Sequence, residues 1–192
     1  MLEMRGNRFQ PLTYDEMNED QQRMTDHILS GARGTMDGPY NVLLRSPIMG
    51  DLAQQFGAHL RFHSSLPQRL NELAILLTAR HWNSEFEWYV HHQFALNAGL
   101  DADTIQAVAR GRRPDDMRKD EKAVFDFCDE LFAQKFVSDA TFMTAREILG
   151  EQGIVDLIGA LAYYHLVSMI LNVDGYPLPN DALPQFRLPT VK

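Results

Sequence analysis

Only one cysteine, Cys128, occurs in the 192 residues of the chain, and that scarcity removes several chemistries at once. One thiol makes no intramolecular disulfide, no Cys-x-x-Cys redox couple and no cysteine-rich zinc site. Positive charge is also in short supply, with 18 Lys and Arg against 26 Asp and Glu, a formal net charge of −8 and a pI near 5.3. Nucleic-acid binders rely on Lys and Arg to neutralise phosphates, so a DNA or RNA partner is excluded. No uninterrupted apolar run reaches membrane-spanning length, and the polar start Met-Leu-Glu-Met-Arg-Gly-Asn-Arg has no apolar signal-peptide core. A cytoplasmic protein without a membrane partner is expected. Sustained β alternation and short-period repeats are missing as well, and the proline-containing tail is the one biased tract. What remains is 45% hydrophobic and 23% charged, the ordinary make-up of a single globular domain large enough to fold without a disulfide or structural metal.

The pattern that is present is helical, and the expected fold class is all-α in a single domain. Residues 1–12 read as an arm without periodicity, and Thr13 with Glu16 forms a capping box that opens a first helix over about 14–30. Gly31, Gly34, Gly38 and Pro39 end it, and Pro39 to Pro47 is too short and punctuated for a helix, so an extended crossing is expected with Tyr40 and Arg45 facing a pocket. Further helices are expected from Pro47 to about Phe62 and from Pro67 to about His81, the second opened by Ser65, Pro67 and Gln68. Others follow from Ser84 to Ala98, from Asp101 to Gly111, and over 117–135, 139–150 and 153–173. The run from Arg110 to Asp116 reads as a charged, solvated connector rather than an anion site. Pro177, Pro179, Pro184 and Pro189 forbid regular helix beyond Tyr176, which leaves a tail suited to crossing a neighbouring subunit. The chain thus divides into an arm and first helix (1–34), a main helical domain (35–175) and a tail (176–192).

Two segments carry groups capable of chemistry. Leu70 to Ala79 is apolar almost all the way round, and Glu72 is its only acid. A carboxylate in that setting is either a buried structural salt bridge, with Arg69 or Arg80 as partner, or a proton-transfer group whose pKa is moved by desolvation. In Ser84-Glu-Phe-Glu-Trp-Tyr-Val-His-His92, helical spacing puts Ser84, Glu87 and His91 on one face, with Phe86, Val90 and Phe94 as an apolar stripe to anchor the helix. Taken alone, Glu87 with His91 at i, i+4 is as compatible with a surface ion pair as with a site. Seven histidines in a helical chain raise the question of metal, but di-iron bundles use Glu-x-x-His and no such motif occurs. Glu72, Glu87 and His91 as a mononuclear site is the remaining metal option. Ser84 lies in no Gly-x-Ser-x-Gly elbow and suits the N-cap of its helix. Cys128, in Ala-Val-Phe-Asp-Phe-Cys-Asp-Glu-Leu-Phe, has the apolar spacing of an inert core residue.

The segment Ser65-Leu-Pro-Gln-Arg-Leu-Asn-Glu-Leu-Ala-Ile-Leu, followed by Glu85-Phe-Glu-Trp, His91, Ala98-Gly-Leu and Asp103-Thr-Ile, resembles the carboxymuconolactone decarboxylase and AhpD-like superfamily. Gly38 to Pro47 upstream, and Tyr163-Tyr-His-Leu-Val through Pro177-Leu-Pro179 downstream, extend the resemblance over about residues 35–180. It implies an AhpD-like helical bundle assembled as a homo-oligomer, a trimer or hexamer. In the AhpD-like peroxidases, a glutamate on the preceding helix, a Cys-x-x-Cys pair and a histidine four residues later form a proton-relayed thiol site. Those positions correspond here to Glu72, Ser84 and Glu87, and His91. A hydroxyl and a carboxylate do not cycle through sulfenic acid and disulfide, so the peroxidase mechanism does not carry over.

What carries over is a relay of Glu72, Glu87 and His91 of the decarboxylase kind, needing no cofactor and no metal. By the resemblance, the small-molecule substrate is a carboxylated lactone or related product of aromatic ring cleavage. His91 is then the general acid or base, Glu87 its partner and Glu72 the relay, with Ser84, Arg45, Arg61 and His63 as substrate-binding candidates and no role assigned to His59. Two rivals stand beside this: an AhpD-like protein that is peroxidase-like by family alone, and a helical oligomeric scaffold that has kept the fold and lost the activity.

Overall fold

In the computed structural model, which describes residues 4–179 and 182–186, eight α-helices and one 3-10 turn account for the regular structure, and no strand occurs among the described residues. The helices are α1 (Glu19–Ser30), α2 (Tyr40–Leu43), α3 (Pro47–Phe62), α4 (Gln68–Trp82), α5 (Glu85–Asn97), α6 (Ala102–Ala109), α7 (Lys119–Gln134) and α8 (Asp139–Asp174). α4 is the central post, packed against α5, α6, α7 and α8. Its apolar circumference makes that position favourable: Leu70, Leu73, Ala74, Ile75, Leu76 and Ala79 are all buried. Each Leu or Ile taken fully out of water contributes roughly 1.5–3 kcal/mol, so α4 anchors the bundle. Ala123, Val124, Phe127 and Cys128 of α7, with Leu157 and Leu161 of α8, close the core on one side.

The turn between α4 and α5 is a reversal of two residues. Asn83 takes the left-handed conformation (φ 48°), tolerated by Asn, and its neighbour Ser84 donates its N–H back to the Ala79 carbonyl at 2.8 Å. This sends α5 back along α4 and sets Glu72 opposite His91.

Several expectations are corrected. The Thr13–Glu16 capping box closes only the 3-10 turn Tyr14–Glu16; the helix itself begins after Asn18, whose side chain accepts from Gln21 N–H in a second capping box. The 39–47 segment is not extended, since Tyr40–Leu43 forms one helical turn. Ser65 does not cap α4; its N–H and hydroxyl both donate to Asp156 of α8 at 2.7 Å. By contrast, the two helices expected at 139–150 and 153–173 are present within α8, separated by a non-helical kink at Gly150, whose φ of 71° needs glycine. α8 is also long and apolar enough by composition to cross a membrane, yet half of its apolar stretch is buried inside the bundle. In the charged connector, Arg113 pairs with Asp126 and lies over Phe125.

Residues 4–12 form an arm without regular structure, as expected, and it is tied down. The buried Asp174 carboxylate accepts the N–H groups of Asn7, Arg8 and Phe9, while Arg5 pairs with Asp37 at 2.6 Å and lies over Phe86 and Tyr176. The described part of the tail turns back on its own α5. Phe186 packs edge-on against Trp88, and the N–H groups of Gln185 and Phe186 donate to Glu85. Pro189, part of the expected tail, lies outside the described residues.

Candidate active site

Glu72 and His91 meet because α4 and α5 are antiparallel neighbours. The His91 Nδ1 lies 2.7 Å from Glu72 Oε2, and its Nε2 lies 3.1 Å from Glu87 Oε1, one turn earlier on α5. The second Glu72 oxygen accepts from the Gln68 amide at 2.6 Å. All three members of the triad are buried: Glu72 is 0% exposed, His91 3% and Glu87 5%. A buried imidazole alone would shed its proton, because burial disfavours charge, but the two carboxylates outweigh that and push His91 up to about 9. At neutral pH it is an imidazolium, hydrogen-bonded through Nδ1 to Glu72 and ion-paired through Nε2 with Glu87. Tyr164 stands edge-on to the ring at 5.1 Å and Phe94 at 5.7 Å, fixing its plane.

His91 and Glu87 form one wall of a cavity of about 240 Å³, completed by α3, α8 and the segment between α1 and α2. Arg61, Phe94, Val90 and Phe86 line it from α3 and α5, Tyr163 and Tyr164 from α8, and Arg33, Asp37 and Tyr40 from the chain after α1. Glu72 stands behind His91 and does not reach the cavity, so the order is cavity, His91 with Glu87, then Glu72. Gly57 of α3 makes room for the Tyr163 ring; a Cβ there would overlap it.

The expected candidates divide on placement. Glu72, Glu87 and His91 are brought together, and Arg61 lines the cavity with its guanidinium 4.6 Å over the Phe94 ring. Arg45 is elsewhere, its guanidinium bound to the Asn41 carbonyl and side chain and to the Gln10 carbonyl, where it fastens the N-terminal segment. His63 ends α3 exposed to solvent and does not line the cavity. Ser84 occupies the N-cap position of α5, but its hydroxyl makes no capping bond and is buried facing a different cavity, beside Tyr176 and Leu178. Phe86 and Val90 pack α5 against a core cluster with Leu60, Ile75 and Tyr164 as expected, and with Phe94 they also line the cavity; Trp88 and Ala95 anchor another side of the helix.

Neither expected salt bridge of Glu72 exists. Arg69 pairs with Asp120 and Glu121, and Arg80 donates to the Ala109 carbonyl and the Asn83 side chain. Both ring nitrogens of His91 point at carboxylate oxygens, so neither is free to bind a metal ion, and no cluster of three His, Cys, Asp or Glu suited to a metal occurs among the described residues. Cys128 is fully buried in α7, away from the cavity, and burial pushes its thiol far up from the ordinary range.

Tyr40 faces a cavity as expected, whereas sequence reasoning missed Arg33 and Tyr163. Burial raises the pKa of both tyrosines, so they remain phenols. A weak signal for Arg33 existed: it is the one cation in the glycine-rich break Gly31 to Gly38.

No family model matches the chain, and no curated protein matches it. Five solved chains do match in structure. One is a crystal structure from Agrobacterium tumefaciens, described as a protein of unknown function and a candidate antioxidant defence protein AhpD. It superposes with a TM-score of 0.65 at 18% identity, over 73% of this chain and 97% of that one. The chain therefore has an AhpD-like all-helical fold.

Proposed function

We propose that the protein is an acid-base enzyme, a decarboxylase of the carboxymuconolactone decarboxylase type, acting on a small carboxylated lactone or a related intermediate of aromatic-compound breakdown. The observation that carries this reading is His91, held as an imidazolium between Glu72 and Glu87 at the wall of a cavity sized for a small molecule. Decarboxylation next to an unsaturated lactone breaks the bond to the carboxyl carbon, releases carbon dioxide and leaves the electron pair in the ring as a dienolate. The proton returned to ring carbon comes from the His91 imidazolium by way of Glu87, which faces its Nε2 on the cavity wall, and Glu72 keeps the resulting imidazole in one tautomer. A cytoplasmic homo-oligomer, trimer or hexamer, belongs to the same reading.

A thiol peroxidase on the same fold is disfavoured by two residues. Ser84 and Glu87 stand where the resemblance places the cysteines, and the single thiol, on Cys128, is sealed in the core. The test is carbon dioxide release from a panel of carboxylated unsaturated lactones. Turnover is expected, falling about 10²- to 10⁴-fold in His91→Ala, with Glu87→Gln plus His91→Ala little worse than the worse single variant, because the two share one proton path. No release from any lactone, undiminished turnover in His91→Ala, or hydroperoxide reduction abolished by Cys128→Ser overturns the reading.

A further inference from the structure

The cavity contains a second polar group that the acid-base triad does not use. Arg33 enters it from the segment after α1, its guanidinium 5.1 Å over the Tyr40 ring. Its Nε and Nη2 are buried and have no hydrogen-bond partner in the protein, and the same is true of the Tyr163 hydroxyl. Native proteins pair nearly all such groups, because a buried donor left without an acceptor is costly, more so when charged. Arg33 and Tyr163 both line the cavity and each carries a buried donor without a hydrogen-bond partner, one cationic and one a phenol beside the Tyr40 hydroxyl; together they match an oxyanion.

The other charges around the cavity are already committed. His91 is hydrogen-bonded to Glu72 through Nδ1 and ion-paired with Glu87 through Nε2. Asp37 accepts from Arg5 and from the Tyr176 hydroxyl, so it does not neutralise Arg33. Arg61 lies over the faces of Phe62 and Phe94. Arg33 and Arg61 are thus the two cavity cations without a hydrogen-bonded carboxylate, and Arg33, with Glu87 as its nearest acidic neighbour, is the one whose unpaired donors are buried; the Tyr40 ring beneath it holds the guanidinium in place.

We infer that Arg33 and Tyr163 form an anion seat in this cavity, which selects small carboxylates and orients them toward His91. The guanidinium fork matches the two oxygens of a carboxylate, and the phenol donates to one of them. This deepens the proposed function and rests on it for the statement that the seated molecule is a substrate; the seat itself rests on the unpaired donors alone. In a decarboxylation the seat does not hold the carboxyl group that leaves, since pairing it with a cation would stabilise the reactant. It holds a second carboxylate, or the oxygen on which dienolate charge collects. Arg33 and Tyr163 are thus specificity residues contributed by two elements, the break after α1 and α8.

Benzoate, with benzamide as its neutral counterpart, separates charge recognition from shape. Titration calorimetry and thermal shift on the full chain should show saturable binding of benzoate, weaker or absent binding of benzamide, and a loss of benzoate affinity of about 10- to 100-fold in Arg33→Gln. Arg33→Lys, which keeps the charge and loses the fork, should recover only part of it, and Tyr163→Phe should weaken benzoate by a smaller factor. Circular dichroism on each variant establishes that it is folded. Equal binding of benzoate and benzamide, no binding of benzoate, or full affinity in folded Arg33→Gln overturns the seat, whatever the outcome with lactones. Arg33-dependent benzoate binding in a protein that turns over no carboxylated lactone upholds the seat and removes the decarboxylase reading.

Discussion

Two histidines ten residues apart, His81 at the end of α4 and His91 in α5, are shifted in opposite directions. His81 lies among the rings of Trp82, Phe132 and His165, and its pKa is lowered, chiefly by burial and then by His165 and Lys135. His91 is far more deeply buried, yet two carboxylates raise it to about 9. Burial therefore does not decide the charge of an imidazole in this bundle; what faces its nitrogens does.

The comparison breaks most severely at Glu72. Glu72→Gln keeps the shape and removes one of the two charges that hold His91 protonated, so the imidazolium is left half-paired in the core. Loss of one partner of a buried ion pair costs about 3–5 kcal/mol. Chemical denaturation should show that loss, and NMR titration should find His91 moved below its present value of about 9. An unchanged His91 titration together with lowered stability would make Glu72 a packing residue only.

A second way to sharpen it is pH. Because the folded-state pKa of His91 lies above the ordinary 6.5, its contribution to stability is complete below pH 6.5 and is lost as pH rises through about 9. The whole span is on the order of 3 kcal/mol. Denaturant midpoints measured between pH 6 and 9.5 should fall across that window in the native chain and stay flat in His91→Gln. His81 has the opposite sign: its lowered pKa makes protonation favour the unfolded chain, so its influence appears below pH 6.5 as pH falls.

The smallest expected effect is at His165. Replacing it with Gln removes a like-charged neighbour of His81, so the His81 midpoint should rise toward 6.5, by a fraction of a unit, while His91 is untouched. A His81 midpoint that stays in place would leave burial and Lys135 as the causes of its shift.

The uneven legibility of the chain has the same physical root as the histidine contrast. The helical period, the wholly apolar α4 and the Glu72, Glu87 and His91 spacing are local properties, and each was readable because neighbours in sequence remain neighbours on a helix. The partners of Glu72 were misassigned to Arg69 and Arg80 because adjacency along one helix says nothing of what the facing helix offers. Arg33 and Tyr163 lie 130 positions apart and become one site only through the packing of α3 against α8 and the return of the chain after α1. Thr13 and Glu16 misled for a different reason: a capping box satisfies backbone donors in a 3-10 turn as well as in a helix, and Asn18 with Gln21 provided the competing start.

The carboxylate of Asp174 gathers three amides of residues 7–9 at the end of α8, and Arg5 and Tyr176 both grip Asp37. Asp37 belongs to the same stretch of backbone as Arg33, so the wall of the cavity is buttoned down by segments from both ends of the chain. Fraying at either end and exposure of the site then become a single cooperative opening: the amides of residues 7–9 exchange with solvent at the rate at which the cavity comes apart, and its occupancy by a ligand slows both.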